Sequence, residues 1–225
     1  NANDNPTTAE QESRFWVKAY DNNVATSGTS VRELPEALTE GAAWSFLGDQ
    51  NLYKSPLDPT SRLRSYSLNA FVGVDRCADE FPEMPNVFVP AYNTRYRVPC
   101  PTLSYVPKPS MTLCAIGEVD IGLSSSFSEQ PNFNGWLVSP NPNIPQWRDT
   151  PALWNNDGVN ISSMDGSTTT IRLGQAELLR NKIISNGSSH NVLIGNTDQE
   201  KVDFQAFSKR LLPGVLEFRT SADQE

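Results

Sequence analysis

The sequence predicts an all-β fold: an antiparallel barrel or sandwich with long proline-rich loops and one short helix near residues 175–185. Three observations predict it. Short runs in which apolar and polar residues alternate recur along the chain, the period of a half-buried strand. The dipeptides Asn134-Gly135, Asp157-Gly158, Asp165-Gly166 and Asn186-Gly187 supply residues that tolerate positive φ at hairpin tips. Seventeen prolines and 13 glycines mark a loop-rich chain. At 225 residues the chain fits one such domain and can bury a core without covalent staples.

Residues 1–13 read as a polar leader or linker, and 14–225 as a single β-rich domain. Strand signals begin at Arg14–Tyr20 and recur at Leu68–Val74. The clearest runs from Met111 to Leu123. There Met111, Leu113, Ala115, Val119, Ile121 and Leu123 are expected on one face, with Thr112, Glu118 and Asp120 on the other. Thr168–Leu173, Asn191–Ile194, Val202–Phe207 and Val215–Thr220 read as strands too, with shorter candidates at Ala42–Leu47, Val87–Val89 and Gly135–Val138. Only Gln175–Ser185 reads as a helix of any length. Ala176, Leu179 and Ile183 form its stripe, and Asn186-Gly187 its stop. Val31–Thr39 has room for one or two further helical turns. Prolines 99, 101, 107 and 109, and five more in Pro131–Pro151, remove backbone donors and predict long ordered loops.

Composition narrows the function classes. A net charge of −8 repels phosphate, and the short basic cluster Arg95-Tyr96-Arg97 near Lys108 reads as solvated loop charge, so no nucleic-acid partner is expected. No apolar run reaches the roughly 18 residues of a membrane span, so no membrane insertion is expected. The chain opens in polar residues without Met and reads as a segment of a longer polyprotein or multidomain protein. Cys77, Cys100 and Cys114 match no zinc spacing; they read as three free thiols, with a single bridge between two of them as the alternative. No metal site and no cofactor are expected.

Catalytic readings are weak. The single histidine, His190, follows a turn in Asn186-Gly-Ser-Ser-His-Asn191 and reads as a loop residue on a polar surface, with no nucleophile elbow to serve. Glu118 and Asp120 are spaced to lie about 7 Å apart on one strand face, which also describes the solvated side of an amphipathic strand. Asp157 and Asp165 are explained by turn chemistry. The sequons Asn160-Ile-Ser162 and Asn186-Gly-Ser188 matter only in the secretory route. The chain therefore reads as a non-enzyme.

The tryptophans point to recognition. Trp136, Trp147 and Trp154 fall in or beside the proline-braced stretch, with Arg148 adjacent. Trp and Arg are favoured anchors, and a rigid loop loses little entropy on binding. These four are the candidate receptor- or glycan-binding residues, against the alternative that the tryptophans plug the core.

This acidic, Asn/Pro/Ser/Thr-rich β pattern over residues 14–220 resembles the capsid spike or protruding domain of non-enveloped RNA viruses of the astrovirus and hepevirus kind. The resemblance implies a homodimeric projection on the virion surface, made in the host cytoplasm. Its implied partners are a host receptor or glycan and neutralising antibodies. The competing reading is a carbohydrate-binding β module of a phage tail, adhesin or polysaccharide enzyme.

Overall fold

The computed structural model describes residues 16–17, 35–60, 62–72, 103–106, 108–119, 136, 138, 146–195, 197–211 and 213. The leader, the strand candidates at 87–89 and 215–220, most of 14–20, and Asp120–Leu123 lie outside the described residues, as do Cys77 and Cys100. Six strands are described: β1 (Tyr66–Leu68), β2 (Leu113–Val119), β3 (Gln146–Pro151), β4 (Gly158–Ser163), β5 (Thr168–Arg172) and β6 (His190–Leu193). Four α-helical segments accompany them: α1 (Pro35–Thr39), α2 (Trp44–Leu47), α3 (Ala176–Asn186) and α4 (Asp198–Ser208).

The strands form one open antiparallel sheet in the order β5-β4-β2-β3-β6, with β1 also paired to β2. Among the described residues the sheet is open, which corrects the barrel alternative of the expected barrel or sandwich. β2 is the shared strand. It pairs with β4 through Leu113, Ala115 and Ile116, and with β3 through Glu118 and Val119. Two predicted turns are present. Asp165-Gly166 closes the β4–β5 hairpin, with Gly166 at φ 86° and Asp165 Oδ1 accepting from the Ser167 N–H at 2.9 Å. Gly187 ends α3 at φ 64°.

One face of the sheet carries the core. Leu113, Ile116, Val159, Ile161, Trp147 and Val192 meet Leu179 and Ile183 of α3 and Phe204 and Phe207 of α4. Trp147 lies at its centre, edge-on to Phe204 (5.1 Å between ring centroids) and to Phe207 (5.5 Å), and 6.2 Å from Trp136. Asn69, 2% exposed, pins the rim: its Nδ2 donates to the carbonyls of Leu113 and Leu211 at 2.9 and 2.8 Å.

Two sequence expectations fail here for physical reasons. Val202–Phe207 is the middle of α4 and Ala42–Leu47 ends in α2; neither is a strand. Val202, Phe204 and Ala206 do alternate, but the buried residues are Phe204, Phe207 and Leu211, at helical spacing. Thr197 and Glu200 form a capping box. The Thr197 hydroxyl oxygen accepts from the Glu200 N–H at 3.2 Å and donates back to the Glu200 carboxylate at 3.1 Å. Asp203 of α4 in turn caps α3, accepting from the N–H groups of Gly174 and Gln175 at 2.9 and 2.8 Å. A second long helix thus joins the single one expected, and the fold is a mostly antiparallel sheet backed by helices.

Glu200 ties the two helices together, because Lys182 of α3 donates to its carboxylate. Burial works against ionising this carboxyl, but hydrogen bonds from Lys182, the Gly195 N–H and Thr197 outweigh it and hold the pKa below the ordinary glutamate value. A lowered folded pKa gives stability that is complete above the unfolded value of about 4.3 and is lost as pH falls through the folded value. The melting temperature should therefore drop as the solution is taken from about pH 5 towards pH 3, and Glu200→Gln should flatten that part of the profile.

Candidate functional site

The two faces of the sheet carry different chemistry. On the face away from the helices, the register brings Asn160 opposite Thr170 and Ser162 opposite Thr168 across β4 and β5. Ala115 of β2 lies opposite Ser162, and β1 adds Tyr66 opposite Gly117. The small residues Ala115 and Gly117 lower the middle of this face between Tyr66 on one side and the Thr/Asn rows on the other. The result is a groove of about 570 Å³ lined by Tyr66, Ala115, Asn160, Ile161, Ser162 and Thr168–Thr170. The Thr170 hydroxyl donates to Asn160 Oδ1 at 2.7 Å, and Ser162 Oγ accepts from the Ala115 N–H at 3.1 Å. Trp154 packs beside Gly117, where a Cβ placed on the glycine would sit 3.7 Å from the indole. Arg62 lies over the indole, with Cζ 5.4 Å from the ring centroid.

The helix-covered face carries a buried polar group. A bulge between Leu113 and Ala115 shifts the alternation of β2 by one residue. Leu113 and Ile116 then both face the core, and Glu118 follows Ile116 inward, to 2% exposure. This corrects the expectation that Glu118 lies on a solvated face. Ser67 of β1 donates to Glu118 Oε2. Across β3 and β6, Asp149 is the register partner of His190. The His190 Nδ1 lies 3.0 Å from Asp149 Oδ1 and 3.3 Å from the Arg148 carbonyl. Ser188 Oγ accepts from the His190 N–H at 3.0 Å, turning the chain from α3 into β6. His190 is thus an edge-strand residue, one-third exposed at its side chain, rather than a loop residue on a polar surface. Glu118, Asp149 and His190 are the described residues with the types and spacing to hold a metal ion.

The four residues singled out from the sequence are dispersed. Trp136 and Trp147 are 0% and 4% exposed and pack in the core, as in the alternative reading of the tryptophans. Arg148 is half-buried on β3, where its Nη1 donates to Asn191 Oδ1. Trp154 is half-buried beside Gly117. None of the four lines the groove. Asp120, the partner of Glu118 in the sequence-based pair, lies outside the described residues. Cys114 carries a free thiol; burial pushes its pKa up, with Ser162 opposing, so it stays protonated and weakly nucleophilic at neutral pH.

The groove residues escaped the sequence reading. One signal for them existed: the Asp165-Gly166 turn fixes the β4–β5 register, which pairs Asn160 with Thr170 and Ser162 with Thr168. The Glu118, Asp149 and His190 group had none, since it depends on a bulge and on strands far apart in sequence. Comparison with known protein families, curated proteins and solved structures finds no match to this chain.

Proposed function

We propose that this chain is a recognition domain, the surface spike or projection of a non-enveloped virus capsid, which attaches to a host-cell glycan or receptor and presents antigenic surface. The observation that carries the reading is the groove on the outer sheet face. Its lining of hydroxyls, one amide and an aromatic edge matches the demands of a sugar: donors and acceptors set around a shallow apolar floor. The fixed strands hold these groups in place, so little order is lost on binding. The acidic composition suits a projection that must stay soluble beside many copies of itself. Host receptor or glycan and neutralising antibodies are the partners in this reading, the homodimer is its assembly, and the virion surface its location. Among the described residues no helix is long and apolar enough to cross a membrane.

The groove favours a second reading equally, the carbohydrate-binding module of a phage tail, adhesin or polysaccharide enzyme. Sedimentation equilibrium with a glycan array on the same sample separates them. The capsid projection should be a stable dimer that binds a narrow glycan set. A monomer binding many related sugars would transfer the proposal to the carbohydrate-binding module. In either case the double variant Asn160→Ala, Thr170→Ala should weaken binding about 10- to 100-fold, the loss of two hydrogen-bonding groups. Its melting temperature should stay close to that of the parent, since both side chains are exposed.

A further inference from the structure

Glu118, Asp149 and His190 stand on three neighbouring strands, β2, β3 and β6, with one ligand-type atom from each within 4.8 Å of the others. We propose that these three side chains form a divalent transition-metal site, best matched to Zn²⁺, that fastens the edge strand β6 to β3 and β2. The site is separate from the groove and stands or falls independently of the recognition role.

The donor set chooses the class of ion. One imidazole nitrogen with two carboxylate oxygens suits zinc and its neighbours. Calcium and magnesium take six or more oxygen ligands, and three side chains including a histidine serve them poorly. The spacing is close to what binding needs. Three atoms mutually within 4.8 Å all lie within 4.8/√3, or about 2.8 Å, of a common centre. Zinc bonds to nitrogen and oxygen run about 2.0–2.2 Å, so a contraction of about 0.7 Å per donor completes the contact. Small side-chain rotations deliver that.

The surroundings distinguish this group from a chance collection of surface acids. Glu118 and Asp149 are 2% and 7% exposed, so both carboxylates are held by packing. Two carboxylates this close in a poorly solvated place repel one another, and a dication between them turns the repulsion into attraction. Ser67 donates to Glu118 Oε2, an outer contact that orients the carboxylate. The third donor is the chain's single histidine, and its side chain is 33% exposed. That exposure gives an ion a way in and a water the fourth position.

The test uses the full chain with Zn²⁺ alone, by titration calorimetry and thermal melting, and Co²⁺ as a spectroscopic probe. We expect one ion per chain and a rise in melting temperature of about 5–10 °C when free Zn²⁺ is about 100 times its dissociation constant. Co²⁺ should give the intense visible bands of a four- or five-coordinate site, and Ca²⁺ and Mg²⁺ should give no shift. His190→Ala should abolish both the stoichiometric binding and the Co²⁺ bands. Ser67→Ala, which removes no ligand, should weaken binding about 10- to 100-fold. If Glu118→Gln fails to fold, the partly exposed His190 position still decides the matter. Absence of stoichiometric Zn²⁺ binding, equal binding by His190→Ala, or a Co²⁺ spectrum of the hexaaquo type would each overturn the proposal.

Discussion

Trp147→Ala should destabilise the domain by about 3–5 kcal/mol, the range for removing a large aromatic from a packed core. Trp147 is 4% exposed and is enclosed by Trp136, Phe204 and Phe207, so its loss opens a cavity where β3 meets α4. Those neighbours are themselves large rings and cannot collapse into the space without leaving their rotamers. The edge-on contacts with Phe204 and Phe207 add aromatic geometry to the lost area. Urea denaturation followed by far-ultraviolet circular dichroism measures the change. Trp147→Phe should cost much less, because it keeps a ring against Phe204. A Trp147→Ala variant as stable as the parent would remove Trp147 from the core and restore it as a surface contact.

Asp58→Ala should cost a similar amount, about 3–5 kcal/mol, for a different reason. The Asp58 side chain is fully buried, and Arg62 beside it is 9% exposed at its side chain; Arg62 Nε donates to Asp58 Oδ2 at 2.8 Å. The other carboxylate oxygen accepts from the Thr60 N–H and hydroxyl at 2.9 and 2.7 Å. Removing Asp58 leaves a guanidinium in a dry place with its charge partner gone. The double variant Asp58→Ala, Arg62→Met should recover much of the loss, since replacing both partners of a buried pair is far milder than breaking it. Arg62 also donates to the Glu118 carbonyl and lies over Trp154. Asp58→Ala should accordingly loosen the packing of Trp154. A single-site loss below about 1 kcal/mol would mean that solvent reaches the pair.

The strands and turns were largely legible because their signals are local. The alternation of Thr168–Leu173 and Asn191–Ile194 and the stops at Asp165-Gly166 and Asn186-Gly187 each depend on a few neighbouring residues, and each is present. The stripe of Ala176, Leu179 and Ile183 is buried as expected. α4 was misread because Val202, Phe204 and Ala206 imitate a strand over five residues, whereas its helical evidence, the Thr197–Glu200 box and the Phe204–Phe207–Leu211 spacing, spans fifteen. Glu118 was misplaced because a single bulged residue inverts every later side chain on β2. The sites were harder to read. The groove depends on which strands adjoin β2, and nothing local encodes that order. The tryptophans were ambiguous because the features that suit an indole to a binding surface suit it equally to a core.

The most direct test of the recognition role is a titration of isotopically labelled protein with the best glycan from an array, followed by backbone amide shifts. The predicted result is a contiguous set of changes at Tyr66, Ala115, Asn160, Ser162 and Thr168–Thr170, with the α3–α4 side quiet. Saturable shifts centred elsewhere, with the groove amides unmoved, would contradict it.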